Sequence, residues 1–429
     1  MPRTAALHLL DAVLNHKHQL DDVLRSDKDH NPGFAKLADR DRALAQQITR
    51  TVLRHLGEID FIISSFLDKP LGKKGLGAEN VIRLGLAQLL FLNIADHAAI
   101  DTAVNLCSGG HLAPYRKLVN AVLRRAQREG AAILATQDIA QLNTPAWLWD
   151  SWVNHYGSEI AHAIAAQHLI EAPLDITPKD DPAAWAEKLD ARLMPTGTLR
   201  LEHHKGVITT LDGFDDGAWW VQDMAASLPA RLLGNVLDLD VIDLCAAPGG
   251  KTMELAAAGA RVTAVDRSEK RLRRVTENLA RTHLDATVIT ADATSWRPAI
   301  LADAVLLDAP CTATGTARRH PDVLHLKQPA DVTKLAYLQS RLLLAAVEMV
   351  RPGGLIVYCI CSLQREEGEA QIHALLNSAA PVALDPLKPA EVGTLTDCIT
   401  PDGFLRTLPH HFGDLGGMDG FFAARLKRL

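Results

Sequence analysis

The feature that most constrains this chain is a ten-residue string, Asp243-Leu-Cys-Ala-Ala-Pro-Gly-Gly-Lys-Thr252, which starts within the largely apolar run Val241–Leu244 and continues beyond it. A short apolar run that ends in a Gly-rich turn and passes into helical sequence is the opening unit of a parallel α/β sheet. Four more such runs follow, at residues 262–265, 287–290, 304–307 and 355–358, with helix-like segments between them. Strands alternating with helices predict a doubly wound, Rossmann-like domain. Residues 404–408 and 420–426 could add an antiparallel pair at its edge.

Open α/β sheets bind ligands at the carboxyl ends of their strands, so the residues after each run are the informative ones. Gly249 and Gly250 allow close backbone approach, but the string is not a phosphate loop, because Cys245 stands where GxxxxGK[ST] needs glycine. It is not GxGxxG either. The second run ends in Asp266, 23 residues after Asp243, where a carboxylate can accept both hydroxyls of a ribose. Asp292 follows the third run, within reach of an adenine edge. Acids after strands two and three without a phosphate cradle favour S-adenosylmethionine over NAD or ATP. The bland alternative is that each acid only caps the next helix.

The fourth run ends in Asp308-Ala-Pro-Cys311-Thr-Ala-Thr-Gly315, and the fifth leads into Cys359-Ile-Cys361-Ser. Two thiols at the ends of adjacent strands, beside an aspartate, suit covalent catalysis on a base whose C5 is not nucleophilic until something adds to C6. Cys245 and Cys359 read as small apolar core residues. From residue types alone, Cys311 would be the nucleophile.

Residues 1–130 read as all helix. Apolar residues fall at 6, 7, 10, 13 and 14, and again at Ala43, Leu44, Ile48, Val52 and Leu56, with Gly57 as a C-cap and Pro70, Gly72, Gly75 and Gly77 as a turn cluster. Residues 116–128 carry Arg116, Lys117, Arg124, Arg125 and Arg128 beside Leu118, Val119, Val122 and Leu123. This front holds 18 Lys+Arg against 14 Asp+Glu, a net of +4, whereas the remainder holds 27 against 37, a net of −10. The asymmetry suggests a division of labour, and the basic helix face reads either as an RNA contact or as an ordinary solvated surface. Residues 131–235 read as a helical and small α/β connecting module, and 236–429 as the sheet domain. The apolar fraction of 48% excludes a disordered chain, and no apolar run reaches membrane-span length. Six cysteines with no CxxC pair argue against a zinc ribbon or disulfide scaffold. With no signal-peptide pattern, a cytoplasmic protein is expected.

These strings resemble the RNA 5-methylcytosine methyltransferases, the NOL/NOP2/Sun family. CAAPGGKT and DAPCTATG carry most of the resemblance, with Gln222-Asp223, Ser227 and Asp419-Gly-Phe-Phe-Ala423. The front resembles a NusB-type RNA-binding domain through residues 40–54, 81–92 and 119–125, which narrows the resemblance to the bacterial 16S ribosomal RNA branch. The resemblance implies that Cys245, Ala246, Ala247, Pro248, Gly249, Gly250, Lys251, Asp266, Asp292 and Asp308 contact S-adenosylmethionine or line its pocket, with no metal. It implies that Cys361, not Cys311, attacks the base, that Cys311 helps release the product, and that Asp308 holds the base edge. Lys251 is the nearest candidate, by motif position, to favour the thiolate. The implied partner is 16S ribosomal RNA or a small-subunit assembly intermediate, met by a monomer. A transfer-RNA enzyme and a non-catalytic RNA-binding factor are the alternatives; intact Asp308, Cys311 and Cys361 argue against the second. The family's usual Thr-Cys is Ile360-Cys361 here, its Glu-Asn-Glu is Glu367-Gly368-Glu369, and its linker Arg-Val-Asn is replaced within 175–179.

Overall fold

The computed structural model describes residues 1–25, 33–202 and 206–429. They form two compact units, one of Met1–Leu169 with Arg319–Lys327 and the other of Ile170–Arg318 with Gln328–Leu429.

The first unit is helical, as the 3.6-residue apolar period requires. Helices Pro2–Leu14, Asp39–Arg54, Leu56–Phe66, Gly72–Leu90, Asp96–Leu106 and Arg116–Leu134 bury one stripe each, including Leu9, Leu10, Ile48, Val52, Ile62, Leu84 and Leu123. Two sequence expectations fail here. Gly75 and Gly77 lie inside the helix Gly72–Leu90 rather than in a turn. Gly57 does not cap a helix but sits in Leu56–Phe66, where an added Cβ would lie 1.9 Å from the Leu142 carbonyl oxygen. Glycine here marks close packing rather than chain reversal, a distinction that spacing alone does not carry. The expected helical stretch after residue 131 is broken at Pro145 and Gly157 into Ile139–Leu142, Ala146–Tyr156 and Ser158–His168. Arg319–Lys327 joins this unit through Asp322, whose carboxylate accepts from Leu20 N at 2.9 Å, and His325, whose Nε2 donates to Leu53 O at 2.7 Å.

The second unit opens with a small antiparallel sheet of β1 (Leu174–Pro178), β2 (Arg192–Leu193), β3 (Leu199–Leu201) and β4 (Trp219–Val221), in the order β2-β3-β1-β4. Asp175, at the departure from the family's linker pattern, is buried in a bidentate pair with Arg200, both contacts at 2.7 Å.

The larger sheet holds β5 (Asp240–Leu244), β6 (Arg261–Asp266), β7 (Thr287–Thr290), β8 (Ala302–Asp308), β9 (Val350–Ile360), β10 (Val382–Leu384), β11 (Leu405–Thr407) and β12 (Phe421–Arg428). Among the described residues its order is β10-β12-β9-β8-β5-β6-β7, with β11 against β12. Strands β5 to β9 are parallel, and β12 runs antiparallel to β9, pairing Phe422 with Ile360. Alternate residues serve opposite faces. Val305, Leu307, Ile356, Tyr358 and Ile360 meet Leu342, Leu343 and Val347 of helix Pro329–Met349, whereas Leu306, Val357 and Cys359 belong to the cluster on the other face. A sheet covered on both faces needs apolar residues at both parities, which explains the unbroken runs in the sequence. The order reverses between β5 and β8, so the crevice where ligands collect lies at the carboxyl ends of these two strands.

Candidate active site

The chain leaves β5 through Cys245, in left-handed conformation with φ of +60°, and enters helix Gly250–Ala257. Asp243, at the end of β5, is fully buried. One carboxylate oxygen accepts from Thr252 Oγ1 at 2.6 Å, and the other has no hydrogen-bond partner. Burial pushes its pKa up to about 7, against the opposing effect of the Thr252 bond. Asp266, also buried, accepts from Ala247 N at 3.3 Å and Ser268 N at 2.9 Å, so it ties the first turn to the second. Asp292 is exposed and accepts from both the amide and hydroxyl of Thr294, at 2.9 and 2.7 Å, which lowers its pKa.

At the switch point, Lys251 reaches across from the β5 turn to β8. Its Nζ donates to Asp308 Oδ2 at 2.8 Å and lies 4.9 Å from the Phe421 ring centre. Burial works against this ammonium, but Asp308 outweighs it and holds the proton firmly. The structure therefore pairs Lys251 with the aspartate instead of bringing it to the Cys361 thiol it is expected to favour, and there it offsets a carboxylate that is 32% exposed. The other Asp308 oxygen takes the Cys359 thiol at 3.6 Å.

The carboxyl ends of β8 and β9 bring Cys311 and Cys361 together, with sulfurs 3.5 Å apart. Both are half-buried, and so is Cys245, so of the two thiols expected in the apolar core only Cys359 is fully buried, and its sulfur meets Asp308. The hydrogen bond to Cys361, together with burial, raises the Cys311 thiol well above its ordinary range. Ile360 points to the opposite face and is fully buried with Tyr358 and Phe422, so the Thr-to-Ile departure falls in the core. Gly315 N donates to Cys361 O at 3.0 Å, and Gly420 N donates to Gly315 O at 2.8 Å. A Cβ on Gly315 would fall 1.9 Å from Gly420 O, so glycine is required where these backbones cross. Arg318, closing the same loop, is buried between Asp223 (3.0 Å) and Asp419 (3.4 Å). Asp223 and Asp419 stand in recognisable strings, but nothing in the sequence pairs them with Arg318 or marks Arg318 and Phe421 as site residues.

A family model described as "16S rRNA methyltransferase RsmB/F" matches residues 232–427, and the NusB family model matches residues 1–128. A ribosomal RNA small subunit methyltransferase B of Xylella fastidiosa is 37% identical over 407 residues, covering 90% of this chain and 92% of its own. The chain belongs to the 16S rRNA methyltransferase RsmB/F family. A relative of the same name from Sodalis glossinidius is 36% identical, covering 80% of this chain and 83% of its own. The solved structure of PH0851 shares the fold, with a TM-score of 0.77 at 21% identity over 100% of this chain and 99% of that one. The helical front is thus NusB-like and the sheet unit a Rossmann-like methyltransferase, as the sequence implied.

The cofactor of this family is S-adenosylmethionine, and the donor set fits it. Carboxylates at the ends of β6, β7 and β8 suit a cationic, unphosphorylated nucleoside, whereas a pyrophosphate would meet repulsion there. The lysine in the turn is already paired with Asp308. Asp243 Oδ1 leaves a buried acceptor without a donor, as expected at a site that a ligand completes. Among the described residues no cluster could hold a metal, and no helix is long and apolar enough to cross a membrane.

Proposed function

We propose that this rRNA methyltransferase modifies C5 of a cytosine in 16S ribosomal RNA through a covalent adduct between Cys361 and C6. The observation that carries the reading is the pair of thiols 3.5 Å apart at the ends of adjacent parallel strands, beside Asp308. The cytosine must first leave its stack, because C6 is inaccessible inside a helix. Cys361 as thiolate adds to C6, forming the S–C bond and shifting electron density to C5. The Cys311 thiol, whose pKa is pushed up by its contact with Cys361 and by burial, lies within hydrogen-bond distance of the attacking Cys361 sulfur. Asp308, its charge offset by Lys251, accepts from the amino edge of the base and orients it. The Cys245–Lys251 turn, Asp266 and Asp292 would hold S-adenosylmethionine, which would supply the methyl group to C5. Water takes the C5 proton, the electron pair of that bond restores C5=C6, and the S–C6 bond breaks to free the product and Cys361 as thiolate, with the Cys311 thiol in hydrogen-bond contact with the departing sulfur. The partner is 16S RNA or an assembly intermediate of the small subunit, met by a cytoplasmic monomer.

The two thiols give separable outcomes. Cys361→Ala should lose both methylation and any covalent RNA complex, whereas Cys311→Ala should methylate and then stall as an adduct visible on a denaturing gel. RNA carrying 5-fluorocytosine blocks elimination, and peptide mapping of the trapped wild-type complex should find the base on Cys361. An adduct formed by the Cys361 variant and absent from the Cys311 variant would move the nucleophile to the end of β8.

A further inference from the structure

The two thiol loops end on one carboxylate. Glu367 is fully buried in the turn after β9. Its Oε1 accepts from Thr312 N at 2.9 Å and from Gln339 Nε2 at 3.0 Å. Its Oε2 accepts from Ser362 Oγ at 2.6 Å and from the Thr312 hydroxyl. Thr312 and Ser362 are the residues that follow Cys311 and Cys361, and their hydroxyls lie 2.9 Å apart. Gln339, from helix Pro329–Met349, also donates to Pro310 O at 2.9 Å, so the residues on both sides of Cys311 are held. The carboxylate is itself fixed by its backbone, since Tyr358 OH donates to Glu367 O at 2.6 Å.

The neighbouring departure from the family pattern serves the same assembly. Arg406 donates to Ser362 O at 2.7 Å and is anchored on Glu369 at 2.6 Å. A Cβ at Gly368 would lie 2.7 Å from that guanidinium and 3.0 Å from the Phe422 ring, so glycine gives Arg406 its place.

We propose that Glu367 is a positioning residue that sets the separation of the Cys311 and Cys361 sulfurs by clamping the residues that follow them. A carboxylate that served only to fill the core would have no reason to gather its donors from the two loops that carry the thiols. A misplacement of about 1 Å at reacting atoms costs on the order of a hundredfold in rate, so a clamp of this kind acts on turnover and not on ligand affinity. The proposal rests on the reading that both thiols act in one cycle.

The test uses full-length protein with Glu367→Ala, Glu367→Gln and Thr312→Val. One arm is independent of RNA. Diamide takes two electrons and two protons from the adjacent thiols, forming the Cys311–Cys361 disulfide and the corresponding hydrazine, so its rate reports their separation. The expected result for Glu367→Ala is a kcat lower by about a hundredfold, disulfide formation slower by about tenfold or more, and KM and S-adenosylhomocysteine affinity within about twofold of wild type. Glu367→Gln should recover most of both rates. Its amide oxygen keeps the Thr312 N and Gln339 bonds, and its amide nitrogen can donate to the two hydroxyls. Wild-type rates in Glu367→Ala would overturn the proposal, as would a loss of turnover with disulfide formation unchanged. Equal defects in the Ala and Gln variants would also overturn it, because they would assign the effect to charge. Should Glu367→Ala lose cofactor affinity, Thr312→Val decides: slower turnover and slower disulfide formation support the clamp, and unchanged rates sink it. If wild type forms no adduct on 5-fluorocytosine RNA, the covalent reading fails, while the diamide arm still judges the clamp.

Discussion

At the scale of single residues, Asp266 and Asp308 are each held by a partner from another element, Ala247 N for the first and Lys251 for the second. Asp266 and Asp308 announce themselves by ending apolar runs. That Lys251 pairs with Asp308 follows from the switch between β5 and β8, which only the strand order reveals. Glu367 was visible as part of a family string, yet its role depends on two loops closing over it from strands 50 residues apart in the chain. Asp266 allows a direct test. Its buried carboxylate takes two backbone amides and lies 3.4 Å from Arg271 Nη1, with lone pairs left for the ribose hydroxyls. Asp266→Ala should weaken S-adenosylhomocysteine binding by ~1–3 kcal/mol, read by calorimetry, while circular dichroism shows the fold retained. Unchanged affinity would leave the carboxylate with only its turn-linking role.

At the scale of elements, periodicity and burial account for most of the fold. The five parallel strands fall on the expected runs, and the antiparallel pair of β11 and β12 lies where residues 404–408 and 420–426 placed it. The failures share one cause: glycine has two uses. At Gly57, Gly75 and Gly77 it permits close packing inside helices, and nothing local distinguishes that from a turn. Strand β10, only three residues long, carries too little pattern to be seen. The segment between β11 and β12 has a titration signature of its own. His411 Nδ1 lies 3.3 Å from Cys398 Sγ and also accepts from Leu408 N, so the ring is neutral in the folded chain. Burial, with His410 beside it, lowers its pKa to about 4, against the weaker opposing effect of Asp397. With the folded value below the unfolded value of about 6.5, the unfolded chain binds the extra proton between them. This contribution is full above pH 6.5 and is lost as pH falls toward 4, by at most roughly 3 kcal/mol. Thermal melts of wild type should therefore fall between pH 7.5 and 5 more steeply than those of His411→Gln, and parallel curves would contradict this.

At the scale of the whole molecule, the division of charge was the most readable property, and the membership of residues 319–327 the least. Those nine residues follow the loop after β8 in sequence but belong to the helical unit, through contacts of Asp322 and His325 that no periodicity announces. The basic helix, by contrast, is as expected. Arg116–Leu134 buries Val119, Val122, Leu123 and Ala126, and exposes Arg116, Lys117, Arg124, Arg125 and Arg128. The structure also sorts these cations. Arg125 is paired with Glu129 at 2.9 Å and lies 4.4 Å from the Phe66 ring centre, so it is partly engaged within its own unit. Lys117 and Arg124 are therefore the better candidates for phosphate contacts. Each such contact releases counterions and adds ~0.7–0.9 to the slope of log affinity against log salt. In the full chain, Lys117→Gln with Arg124→Gln should lower the slope for 16S RNA binding by about 1.5 and leave cofactor affinity unchanged. Arg125→Gln should shift the slope less than either. A slope unaltered by the double substitution would make these residues an ordinary solvated face and would place the electrostatic share of RNA binding elsewhere, despite the net of −10 carried after residue 130.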